Sequence, residues 1–166
     1  FAQERLNSVV LLSTLCRAPG LRMWQHIIGE ASAYVPGVSG MMRGKNVGFL
    51  TTRLGFGRHA LPSHIELVQQ MMATTDHETL QHATRTLMNF DLSESLPKFP
   101  CPTVVASGTA DLVTPPADAR DIASRLPGSR LEMVRGAGHL IMLEAPDRLY
   151  KVVVPGAQRQ HGPLVD

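Results

Sequence analysis

The 166 residues can build one sizeable core, one domain with at most a sub-domain insert, and 43% hydrophobic with 18% charged residues excludes a disordered chain. The apolar runs, Val9–Leu12 and residues 152–154 among them, are far too short to cross a bilayer, so no stable membrane insertion is expected. The net charge of +2 conceals an excess of cations over residues 1–60, where seven Lys/Arg face only Glu4 and Glu30; dispersed and without interleaved aromatics, they argue against a nucleic-acid partner.

The chain opens on Phe1, and no basic segment followed by an apolar one precedes the first structural element. With the true N-terminus not in view, the absence of a signal peptide carries little weight, and the working expectation is a cytoplasmic location. Ser8-Val-Val-Leu-Leu12 reads as a first buried strand, because continuous apolar character without alternation suits a parallel strand covered on both faces. Residues 17–96 change character. Ser63-x-x-Glu66 and Thr75-x-x-Glu78 have the form of capping boxes and predict two helices. The first helix aligns Ile65, Val68 and Met72, with Leu67 and Met71 alongside; the second aligns Leu80, Ala83 and Leu87. Residues 36–58 carry six glycines and are expected as loops between short helices. Met23, Met41, Met42, Met71 and Met72 lie in this block with Trp24, Phe49 and Phe56, which suits a small sub-domain core and equally an adaptable apolar wall over a substrate. The block is expected to be a mobile helical insert between two strands of one sheet.

Residues 103–106 (Thr-Val-Val-Ala) form a second expected strand and Arg130–Val134 a third. Between them Thr114 suits an N-cap, Pro115 the first helical turn and Asp118 the positive helix end, with Pro127-Gly128 stopping the helix after about Leu126. Strand, helix and strand within this length make a βαβ unit. A last helix begins at Asp147 and ends at Pro155-Gly156; residues 158–166 lack an apolar pattern and are expected to fray.

Two residues stand out for chemistry. Asp111 lies just beyond the carboxyl end of the second strand, where open α/β sheets gather functional groups. His139, 28 positions on, follows the third strand through a Gly136-Ala-Gly turn that brings it to the same edge. Singly, each has an ordinary explanation, a helix-capping acid and a turn histidine. Together they match a general base oriented by a carboxylate.

Pro100-Cys-Pro-Thr-Val-Val-Ala-Ser-Gly108, Ala110-Asp111, Thr114-Pro115, Gly136-Ala-Gly-His139 and Leu143-Glu-Ala-Pro146 resemble the C-terminal part of the α/β-hydrolase family. The stretch Leu6-Asn-Ser-Val-Val-Leu-Leu-Ser-Thr14 is similar to the strand that follows the nucleophile helix there. The resemblance implies an α/β fold, a parallel-sheet segment with an inserted helical cap: residues 1–16 a core strand, 17–96 the cap or lid, 97–154 the βαβ core and 155–166 the tail. It implies Asp111 as triad acid, His139 as base, and no metal or organic cofactor. The nucleophile departs from the pattern. Triad order in that fold is nucleophile, acid, histidine, and none of the ten serines sits in G-x-S-x-G. Ser39 comes nearest, but Met41 replaces the last glycine and no strand precedes it.

The expectation is therefore the C-terminal part of a lid-bearing hydrolase of small, largely apolar esters or acyl substrates, with its serine upstream and this chain inactive alone. An aspartate nucleophile, as in epoxide hydrolases and haloalkane dehalogenases, is the alternative within enzymes; a non-catalytic binding module lacking the nucleophile is the alternative outside them, and a truncated product with no stable role a third. Three strands leave a sheet edge unpaired, so a dimer, aggregation or a missing N-terminal half is expected. Other motifs fail. Gly44-Lys45 lacks the spacing of a phosphate loop, and Gly55-Phe-Gly57 is followed by Ala60 where a dinucleotide turn needs glycine. His59 and His64, like His77 and His82, are five apart, about 140° around a helix, and do not face one metal. Cys16 and Cys101 read as inert thiols in or near the core.

Overall fold

A computed structural model describes residues 8–18, 44–99 and 101–153. Its centre is a three-stranded parallel sheet in the order β1 (Val9–Leu12), β2 (Thr103–Gly108), β3 (Arg130–Val134). Val9 pairs with Thr103 and Leu12 with Ala106 on one side of β2; on the other, Val104 pairs with Arg130 and Gly108 with Val134. The apolar runs are the strands, with β2 reaching two residues further than its sequence pattern indicates.

Successive residues of a strand point to opposite faces, and β2 shows it. Val105 packs with Cys16, Ala119, Ile122 and Leu126 on one face, while Ala106 packs with Val134, Ala137 and Ile141 on the other. Helix α4 (Pro116–Arg125) crosses from β2 to β3 and supplies Ala119 and Ile122 to the first face. The turn after β3 and the short helix α5 (Ile141–Glu144) cover the second. Each fully buried Val or Ile side chain here, such as Val105, Ile122 or Ile141, contributes about 1.5–3 kcal/mol of transfer free energy.

Thr114 is not the cap of α4. The helix starts at Pro116 with Pro115 as its extended N-cap, because the Thr114 amide and hydroxyl are both taken by Asp111. Gly128, at φ +72°, lets the chain turn back into β3.

Between β1 and β2 lie α1 (Lys45–Arg53), α2 (Pro62–Thr74), α3 (His77–Met88) and a one-turn 3-10 helix (Leu96–Lys98). The two helices predicted from the capping boxes exist, but neither box forms. Pro62, with its fixed φ, starts α2 one residue before Ser63, and Leu61 is the N-cap. Asp76 caps α3 instead of Thr75, its carboxylate accepting from the Thr79 amide at 2.8 Å and the Thr79 hydroxyl at 2.6 Å. The Thr75 hydroxyl turns back to the Met71 carbonyl (2.8 Å) and closes α2. The glycine-rich stretch, expected as loop, is helical across 45–53 with Gly48 inside α1; residues 36–43, Ser39 among them, lie outside the described residues. Of the apolar stripe on α2 only Ile65 is buried, while Leu67, Met71 and Met72 are exposed; α3 buries nothing.

The final helix, α6, spans Pro146–Val153, one residue earlier than its sequence signal. The tail expected to fray lies outside the described residues. Cys16 and Cys101 are buried and form no disulfide, and burial pushes the Cys16 thiol above its ordinary range. Among the described residues, no helix is long and apolar enough to cross a membrane, and no group of three or more His, Cys, Asp or Glu is arranged to hold a metal ion.

Candidate active site

Asp111 and His139 meet at the carboxyl edge of the sheet, where the sequence places both. Asp111 follows the end of β2, and its side chain is fully buried. A buried carboxylate is costly unless its lone pairs are satisfied, and these are. Oδ1 accepts from the Val113 amide at 2.8 Å and the Thr114 amide at 2.9 Å. Oδ2 accepts from the Thr114 hydroxyl at 2.9 Å and lies 3.1 Å from His139 Nδ1. The acid is thus fixed by its own loop before it meets the histidine.

Thr114 is the residue that the sequence reading misassigned. Its hydroxyl has one proton, given to Asp111, and its oxygen lies 3.1 Å from His139 Nδ1. Nδ1 therefore faces two acceptors, the carboxylate and the hydroxyl lone pair, and the network assigns the ring proton to Nδ1. Nε2 is left as the basic nitrogen, with no partner among the described residues, on a side chain that is 29% exposed. Acid buried, ring half-emergent, proton on the acid side: this arrangement accepts a proton at Nε2 and stabilises the resulting imidazolium.

The loop that carries His139 is held from two sides. From β2's end, the Thr109 hydroxyl accepts from the Gly136 amide (2.9 Å), and the Ala137 carbonyl accepts from the Ala110 amide (2.9 Å). From the segment after α1, residues 55–58 form a strap across it. The Gly55 carbonyl accepts from the His139 amide (2.7 Å), and the Arg58 amide donates to the Gly136 carbonyl (2.8 Å). The backbones approach so closely that a Cβ on Gly57 would overlap residues 136–138, and one on Gly138 would overlap Phe56 and Gly57. Gly55-Phe-Gly57, dismissed as a nucleotide motif, is where one loop lies flat against another. Two Gly-x-Gly triplets far apart in sequence were the available signal, but nothing in sequence pairs them.

Among the described residues, no serine or cysteine hydrogen-bonds to His139, whose side-chain partners are Asp111 and Thr114. Ser13, at the end of β1, is buried with φ +42° and its hydroxyl has no hydrogen-bond partner. Backbone strain clusters at functional sites, but among the described residues no base is bonded to Ser13.

The model of the Alpha/beta hydrolase family matches residues 2–152. Among curated proteins, RutD of Pantoea ananatis, named as a carbamate hydrolase, is 38% identical over 84 residues, covering 50% of this chain and 30% of that protein. The matched stretches span no more than 30% of any of the curated relatives found. Among solved structures, MGS-M2, an alpha/beta hydrolase enzyme from a Medee basin deep-sea metagenome library, superposes with a TM-score of 0.72 at 20% identity, over 96% of this chain and 58% of that one. A thermophilic esterase from Thermogutta terrifontis gives a TM-score of 0.70 at 22% identity, over 90% of this chain and 54% of that one. The chain spans little more than half the length of these structures.

Proposed function

The chain belongs to the alpha/beta hydrolase family, and we propose that Asp111 and His139 are the acid and base of a Ser-His-Asp ester hydrolase. The observation that carries this reading is the buried, fully hydrogen-bonded Asp111 carboxylate 3.1 Å from His139 Nδ1, with Nε2 left as the basic nitrogen. A serine on sequence N-terminal to this segment attacks the ester carbonyl. His139 takes its proton at Nε2 and returns it to the leaving alcohol, while Asp111 holds the ring and its charge. Water repeats the sequence on the acyl-enzyme.

The substrate is a small, largely apolar ester or comparable acyl compound. Support comes from the helical block at the position of a lid, where Leu50, Leu67, Met71 and Met72 leave apolar surface exposed. An aspartate nucleophile would use the same pair differently, with His139 activating water against an ester intermediate.

The coding sequence ahead of Phe1 separates these readings. A strand ending in G-x-S-x-G supports the serine mechanism, and an aspartate at its centre shifts it to epoxide or haloalkane chemistry. Neither motif ahead of a Met start near Phe1 would overturn both and leave a binding module.

A further inference from the structure

Five residues beyond His139, Glu144 closes α5, and its carboxylate is spent entirely on backbone. Oε1 accepts from the Gly138 amide at 2.8 Å and Oε2 accepts from the Gly57 amide at 2.7 Å. Both glycines are buried. The first amide belongs to the residue immediately before His139, the second to the strap from the helical block. We propose that Glu144 is a positioning residue for His139, a carboxylate bridge that fixes the histidine loop against residues 55–58. The inference rests on the reading of His139 as the catalytic base.

Three observations converge on this bridge. The Gly138 amide is turned towards Glu144, so the peptide leading into His139 has one orientation. The His139 amide donates to the Gly55 carbonyl at 2.7 Å, so consecutive amides are anchored to different partners. Neither Gly57 nor Gly138 can carry a Cβ, which leaves the strap no room to slide over the loop. Hydrogen bonds from amides to an ionised carboxylate are the stronger kind, and here one carboxylate makes two of them to segments 81 residues apart in sequence. Of the other titratable groups near the loop, Asp111 is bonded to the ring, the His59 imidazole abuts Gly136 and Arg53 is bonded to the Phe56 carbonyl. None of these contacts the Gly138 amide.

Two substitutions in the full-length enzyme separate position from charge. Glu144→Asp keeps the charge but is one methylene too short to span both amides; Glu144→Gln keeps the reach but replaces one acceptor oxygen by a donor. Positioning predicts that both lower kcat for p-nitrophenyl butyrate by about 10–100-fold, with KM within threefold, in protein that remains folded at the assay temperature. A through-space charge effect would spare Glu144→Asp, and a purely structural role would lower the melting temperature while leaving kcat of the folded protein unchanged; either result overturns the proposal. A second readout does not depend on turnover. The ¹⁵N shifts of the neutral His139 ring should report the Nδ1–H tautomer in the wild type and a mixture in both variants; an unchanged tautomer with unchanged kcat contradicts the bridge. If wild type turns over no ester, the hydrolase reading fails, and the tautomer alone decides whether Glu144 positions the ring.

Discussion

The two parts of this chain are built to different standards of packing. Around β2, α4 and β3, Val105, Ala106, Ile122 and Ile141 are each no more than 1% exposed, and both faces of the sheet are covered. In α1, α2 and α3, Ile65 is the one large side chain buried among those described, while Leu50 is 64% exposed and Met71 60%. The acid and the histidine belong to the first part, where backbone position is over-determined by core and hydrogen bonds alike. The second part touches them through a narrow strap, residues 55–58. Under the proposed reading, the closely packed part holds the proton-transfer pair and the loosely packed part serves as an adaptable cover over the substrate.

The sharpest way to break the comparison is Asp111→Asn in the full-length protein. If the new amide's oxygen keeps the Val113 and Thr114 N–H groups, its nitrogen faces His139 Nδ1 and selects the wrong tautomer. Ester turnover should fall by about 10⁴-fold while the fold persists; a loss below tenfold would remove Asp111 from the mechanism. Next in size, Ile122→Ala should destabilise by about 2–5 kcal/mol by opening a cavity in a closed core, whereas Met71→Ala should change stability by less than about 0.5 kcal/mol. Chemical denaturation of both variants reads the contrast directly, and equal costs would contradict it. Gly57→Ala tests the strap where the two parts meet. Its Cβ overlaps backbone rather than a flexible side chain, so a loss of about 1–3 kcal/mol is expected.

The smallest effect lies at the start of α3. The Thr79 hydroxyl and amide hold the Asp76 carboxyl below its ordinary value of 3.8. A group depressed on folding contributes stability above its unfolded pKa and loses it as pH falls through the folded one. Helical circular dichroism should therefore show a decline below pH 3.8 that is absent from Asp76→Asn.

Much of the sheet was legible because a parallel strand buried on both faces leaves a continuous apolar run, as in residues 103–106. Asp111 and His139 were legible because they follow such strands at short, fixed distances. Thr114 was misread for a physical reason: a threonine before a proline and a helix suits a cap, and only the folded loop shows its hydroxyl taken by a carboxylate three residues earlier. Glu144 stood in the Leu143-Glu-Ala-Pro146 motif and the strap in a Gly-x-Gly triplet, but their contact was out of reach, since the partners of Glu144 are backbone amides that nothing in the sequence pairs with it. The helix starts were right in kind, with the α2 cap two residues earlier at Leu61 and the α3 cap one residue later at Asp76, because Pro62 and Asp76 outcompete the neighbouring Ser63 and Thr75.

The central claim, that His139 is the base of an ester hydrolase, is tested most directly by His139→Ala in the intact protein. Initial rates with p-nitrophenyl butyrate at neutral pH, on protein shown to melt cooperatively, give kcat/KM for the variant and the wild type. A loss of at least about 10³-fold with the fold retained is the predicted result; turnover within tenfold of wild type would contradict it.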